Sequence, residues 1–201
     1  DAVINALSSG IKNQVKNNNG KIKYIGPDYK VLSKNFDIIN FKKKRKYFLI
    51  VLGGSILYKN EILRIINKII LIKKYNLETV LVVGSAINKK NDEFKELVFK
   101  CKLHNIKLLN DPKNIKNIFL NSKLALIGGG GSLIYEMIRF RIPFLVIKRV
   151  NHQLKNINFL KKFKFLSYID NLDVNELDIK IKYLLDNKNY KKSTEEMKNI
   201  V

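Results

Sequence analysis

The run from Leu124 to Glu136, LALIGGGGSLIYE in one-letter code, carries the most chemistry. An apolar stretch ends in four glycines, Gly128 to Gly131, and Ser132 opens a helical pattern. Glycine lets the backbone approach a ligand closely, and the first N–H groups of a helix have no intrahelical acceptor. Together with the helix dipole they form an anion site, most often for phosphate. Ser132 can cap the helix or give its hydroxyl to a phosphate oxygen. Glu136 lies one turn on, on the same face, where its carboxylate can accept from a ribose diol. The plainer alternative is a sharp strand–helix turn with a capping Ser and a solvated Glu. Four glycines are more than such a turn needs.

Three further segments end at comparable places. Gly53-Gly54-Ser55 follows the apolar run 47–52, and Gly84-Ser85 follows the run 79–83. The first can bring backbone close to a ligand in a cleft. The second can hold a planar base through backbone groups. Asn151, His152, Gln153 and Asn156 gather polar side chains at a predicted helix start after a fifth strand. His152 is the candidate for acid–base work, since an imidazole titrates near ~6.5, although the sequence gives it no carboxylate partner. Helix capping by Asn151 and an ordinary turn at Gly53 are the alternatives. The glycine spacing fits neither a dinucleotide fingerprint nor a P-loop, because no Lys-Ser or Lys-Thr follows.

The elements that position these segments follow from the hydrophobic pattern. Apolar runs at 47–52, 79–83, 106–109, 124–127, 144–147 and 165–168 read as short strands. Between them, 60–75, 92–103, a stretch starting at Asp111-Pro112, 132–140 and 153–161 read as helices. Residues 173–185 read as a final amphipathic helix, and the charged tail from about 190 as helical. This alternation predicts a parallel sheet with helices on both faces, a Rossmann-like α/β fold, with ligands beyond the C-terminal strand ends. Before residue 47 the pattern is weaker. Residues 1–7 read as a strand end, 12–21 as a polar loop, 21–25 as a strand, and Lys42 to Lys46 as a solvated linker. The expected division is 1–46 as the end of an N-terminal domain plus linker, 47–185 as the binding domain, and 186–201 as a helical tail.

Composition narrows the class. The chain has 201 residues, 46% of them hydrophobic, with a net charge of +22. Lys, Asn and Ile number 34, 25 and 28, while Arg numbers 5. These abundant residues have AT-rich codons, and so few arginines argue against a nucleic-acid partner. The positive potential still favours phosphate-bearing ligands. One cysteine and two histidines exclude a disulfide framework and a Cys-based zinc site. Cys101 reads as an inert thiol on a helix face and His104 as a surface residue. No apolar run reaches the ~20 residues of a membrane span. With no export signal in view, a cytoplasmic place is expected.

Residues 26–36, the Leu-Gly-Gly-Ser at 52–55, the Val-Val-Gly-Ser at 82–85 and the segment 124–153 resemble the UDP-sugar hydrolases of pseudaminic acid biosynthesis. Spore-coat polysaccharide and flagellin-modification proteins share these features. The resemblance covers residues 1 to about 185 and implies the C-terminal domain of a GT-B fold. It extends to the second domain of the lipid II-forming N-acetylglucosaminyltransferase and to the dolichol-linked N-acetylglucosaminyltransferase. It implies that Gly130, Gly131 and Ser132 hold a diphosphate and Glu136 the ribose. Gly53, Gly54 and Ser55 would form the cleft loop and Gln153 the sugar side, while Gly84 stays the strand-end candidate for holding the base.

The chain departs from the pattern in three places. Ile56 and Leu57 stand where an acid usually follows Gly-Gly-Ser, Lys123 where the glycine strand usually opens with Asp, and His152 where the hydrolases carry Asn. The His-Gln pair is closer to the transferase form. The Gly-rich loop bearing the hydrolase base has no counterpart here, so residues 1–7 read as the last strand of a missing N-terminal domain or partner chain. The expected ligand is a UDP-sugar, with no metal or cofactor. The expected reaction is hydrolysis of a UDP-linked amino-deoxysugar. Transfer of the sugar to an acceptor is one alternative, and a non-catalytic or polyanion-binding module is another.

Overall fold

The computed structural model describes residues 3–5, 13–16, 22–25, 32–36, 39–41, 44–52, 59–70, 75–85, 92–147, 153, 157–158, 161, 163–169 and 173–200. A small sheet comes first, with β1 (Val3–Asn5), β2 (Asn13–Lys16) and β3 (Ile22–Ile25). Strand β3 lies between the others, parallel to β1 and antiparallel to β2. The expected polar loop at 12–21 therefore contains a strand. Its polar side chains give no apolar period, and the ladder to Ile22–Ile25 holds it instead.

The large sheet is built from β4 (Tyr47–Val51), β5 (Glu78–Val83), β6 (Lys107–Asn110), β7 (Ser122–Gly128), β8 (Phe144–Ile147) and β9 (Leu166–Ile169). Every pairing is parallel, in the order β6-β5-β4-β7-β8-β9. The chain starts in the middle, winds outward one way, returns to the centre and winds outward the other way. This is the doubly wound Rossmann order, and its switch point lies between β4 and β7.

Side chains alternate between the two faces of the sheet. From β4 and β7, Phe48, Ile50, Leu124 and Leu126 enter one core, with α1 (Lys59–Ile70), α2 (Asp92–Leu103) and α5 (Val174–Leu185). Leu49, Ala125 and Ile127 enter the other, with α3 (Ile115–Asn121), α4 (Gly131–Arg139) and α6 (Asn187–Lys198). Phe36, ahead of the sheet, docks in this second core and meets the rings of Phe119 and Phe140 with centroids 6.0 and 5.0 Å away. Met197 of α6 is fully buried there too. The segment at 32–36 and the C-terminal helix both pack on the sheet domain.

Two sequence expectations change. Asp111-Pro112 does not start α3. Asp111 takes a left-handed φ of 46°, and the helix begins at Ile115, capped by the Asn114 side chain to the Asn117 N–H. The basic run before β4 is not simply a solvated linker either. The Arg45 guanidinium donates to the carbonyls of Arg141 and Phe140 at 2.8 and 3.0 Å, with a longer 3.4 Å contact to Ser122 O. These carbonyls end α4 and begin β7, so a cation satisfies the acceptors a helix leaves open. Burial lowers the Arg45 pKa from its ordinary value, and the Tyr190 hydroxyl beside it opposes that shift. Lys46 bonds Glu78 at 2.7 Å.

Candidate functional site

The site begins where β7 stops. Gly128 is its last residue, and Gly129 continues the ladder by donating to Ile147 O at 3.1 Å. Gly130 is the N-cap of α4, with φ −69° and ψ 133°, and has no side chain to close the cap. The helix starts at Gly131, so Ser132 is its second residue rather than its cap. The first turn contains no acidic residue. Gly130 offers this turn no side-chain cap, and no acidic residue stands in it, which is the geometry that favours an anion. Ser132 is exposed at this end, and Glu136 is half-buried one turn along.

The two inner glycines do different work. A Cβ on Gly129 would lie 3.0 Å from Ile157 Cδ1 and 3.1 Å from both Cβ and Oε1 of Gln153. A Cβ on Gly130 would meet no described residue within 4 Å. Gly129 therefore lets Gln153 and Ile157 close on the strand end, whereas Gly130 has no described residue against it. The structure thus brings Gln153 to the tetraglycine turn, beside Gly130, Gly131, Ser132 and the helix carrying Glu136.

Gly84 lies at the C-terminal end of β5, on the same edge of the sheet, with its carbonyl accepting from Asn110 Nδ2 at 3.3 Å. The next peptide is held as well, because Asp111 N–H donates to Val83 O at 2.9 Å. Asn110 and Asp111 thus fix the turn beside Gly84. Sequence reasoning missed them, although Asn-Asp-Pro is a turn signal. Gly53, Gly54, Ser55 and His152 lie outside the described residues, as does most of the expected helix at 153–161. Leu52, the last described residue after β4, is buried at 3% exposure, and β4 itself lies between β5 and β7.

Outside this edge, Cys101 is buried and its thiol is pushed up to about 11 by desolvation, as an inert thiol should be. His104 is half-buried at the end of α2. Among the described residues no group of three or more His, Cys, Asp or Glu is placed to hold a metal. No described helix is long and apolar enough to cross a membrane.

The strand order and the open glycine turn at its switch point define a Rossmann-like domain of the GT-B type. The solved structure of Anabaena HepE in complex with UDP and glucose shares this fold, with a TM-score of 0.58 at 14% identity over 78% of this chain and 43% of that one. In sequence the chain is similar to the spore coat polysaccharide biosynthesis protein SpsG of Bacillus subtilis, 30% identical over 76% of this chain and 45% of SpsG. It is also similar to the UDP-N-acetylglucosamine–N-acetylmuramyl-(pentapeptide) pyrophosphoryl-undecaprenol N-acetylglucosamine transferase of Thermosipho melanesiensis, 24% identical over 73% of this chain and 49% of that enzyme. The chain spans about half the length of these curated relatives. No family model matches it.

Proposed function

We propose that this chain is the nucleotide-sugar-binding half of a GT-B enzyme, with residues 47–185 as its binding domain. The observation that carries the reading is Gly130. It leaves a helix start without a side-chain cap, at the switch point of a doubly wound sheet, with no described residue against it. In this reading the N–H groups of Gly131 and Ser132 and the Ser132 hydroxyl hold the diphosphate. Glu136 accepts from the ribose, the turn at Gly84 borders the base, and Gln153 faces the sugar. Gly53, Gly54 and Ser55 are assigned to the same cleft on sequence alone.

The chemistry follows from the leaving group. Breaking the bond between the anomeric carbon and the diphosphate builds negative charge on the departing oxygen. Backbone donors already aimed at it stabilise that charge without reorganising. The nucleophile is water in a hydrolase acting on a UDP-linked amino-deoxysugar, or an acceptor hydroxyl in a transferase. SpsG, named for polysaccharide biosynthesis, supports a surface-polysaccharide setting. The similarity to an N-acetylglucosamine transferase gives transfer at least as much support as hydrolysis. His152 is the candidate base within this chain, and the other wall of the cleft belongs to an N-terminal domain or partner chain.

The test is calorimetric titration of the chain with UDP and with uridine. UDP binding that uridine does not reproduce is the expected result. Equal affinities would remove the diphosphate from the glycine turn and sink the reading.

A further inference from the structure

At the opposite end of the sheet the elements leave a second concavity. Lys46 precedes β4, Lys123 is the second residue of β7, and Arg141 stands between α4 and β8. Because the strands are parallel, all three lie at the N-terminal edge, roughly 17–20 Å of strand away from the glycine turn. The first turns of α6 contribute Asn187, Tyr190 and Thr194, and the segment before β4 adds Phe41, Lys44 and Arg45. Together they line a cavity of about 600 Å³, and among its described lining residues five are basic and none is acidic.

These cations divide by what they already do. Arg45 is committed to main-chain carbonyls, and Lys46 to Glu78 at the rim. The Arg141 Cζ lies over Phe41, 4.3 Å from the ring centroid, and the Lys123 Nζ stands 5.8 Å from the Tyr190 ring centroid. A cation held by a ring in this way is not engaged by a carboxylate and keeps N–H donors for an oxyanion. The C-terminal carbonyls of α4 would repel an anion here, but Arg45 covers them. Lys44, Lys123 and Arg141 therefore present charge into a concave, aromatic-walled space with no carboxylate among its described lining residues, an arrangement that focuses positive potential.

We propose that this cavity is a second anion site, taking a phosphate group through Lys123, Arg141 and Lys44. The phosphate belongs either to a free oligophosphate or to an anionic lipid headgroup. The inference is independent of the glycine-turn reading, since it uses the other end of the sheet and different residues.

The experiment titrates the full chain with inorganic pyrophosphate in the presence of UDP. In parallel it measures binding to vesicles of phosphatidylglycerol and of phosphatidylcholine. Pyrophosphate or the anionic vesicles should bind, phosphatidylcholine should not, and added salt should weaken the interaction. Combining Lys123→Gln with Arg141→Gln should reduce affinity about tenfold or more. Combining Lys100→Gln with Lys102→Gln on α2 should leave it unchanged. Lys123→Gln alone serves if the double variant melts early. Response to pyrophosphate identifies a soluble ligand, and response to vesicles only identifies a headgroup. Equal losses in both double variants would reduce the effect to net charge and overturn the proposal. Absence of binding to either anion would overturn it as well.

Discussion

Gly129 and Gly130 are neighbours with opposite expectations. Gly129→Ala drives a methyl into Gln153 and Ile157 and should cost about 1–3 kcal/mol of stability, read from denaturant unfolding. Gly130→Ser adds a capping hydroxyl and should gain a few tenths of a kcal/mol, about the Ser–Gly difference at an N-cap. The same hydroxyl takes the N–H groups a diphosphate needs, so UDP should bind more weakly while the melting temperature rises slightly. A variant that melts higher and binds UDP better would show that the helix start is not the contact. Glu136→Gln should weaken UDP by about 1.5–3 kcal/mol and 2′-deoxy-UDP by less, because a charged acceptor for the diol is lost. Equal losses for the two nucleotides would return Glu136 to a structural role. Cys101 adds a pH dependence. Its thiol titrates near 11 when folded against about 9 when unfolded, so the unfolded chain loses its proton first. Stability from this group is complete below pH about 9 and lost as pH rises towards 11. Cys101→Ala should flatten that part of a stability–pH curve relative to the parent.

At the scale of elements, Arg45 joins the lead-in to β4 to the end of α4 and the start of β7. Arg45→Met leaves buried carbonyls without their donor and should cost about 2–3 kcal/mol, measurable by chemical denaturation. A change within error would mean that water replaces the guanidinium. This contact also marks what sequence could reveal. The strands of the large sheet are legible because each is a short, mostly apolar run closed by glycine or a polar turn, and the central β4, β7 and β8 are buried along nearly their whole length. The tetraglycine turn is legible for the same reason, and its approach to Gln153 follows once both are placed at strand ends. Arg45 is not legible, because its acceptors are main-chain carbonyls near positions 122, 140 and 141, and any residue type supplies those. Strand β2 is hidden by its polar side chains. The late start of α3 is hidden because Asp111-Pro112 is equally good as a turn, and the Asp111 N–H bond to Val83 O decides for the turn.

For the whole molecule, the proposed reaction needs both walls of a cleft. A general base must stand within ~3 Å of its proton, and one wall alone cannot place nucleophile and leaving group together. On that proposal the 201-residue chain by itself should release no UDP from UDP-sugars and should turn over only when joined by the proposed N-terminal domain or partner chain. UDP release is measured for the chain alone, for His152→Ala, and for each with the other half added. Appreciable turnover by the chain alone that disappears in His152→Ala would make His152 the base and remove the need for a second wall. The winding of the sheet also sets the timing of folding. Its central pair joins Phe48 to Leu124 and Ile50 to Leu126, and no pairing in the large sheet is a hairpin. A nascent chain can dock β5 and β6 against β4 early, but it holds an exposed apolar edge until β7 emerges. Such long-range parallel pairings fold slowly and expose aggregation-prone edges on the way. The glycine turn takes shape only when that last central strand arrives, so the capacity to bind a nucleotide and the disappearance of the sticky edge should come in a single kinetic step.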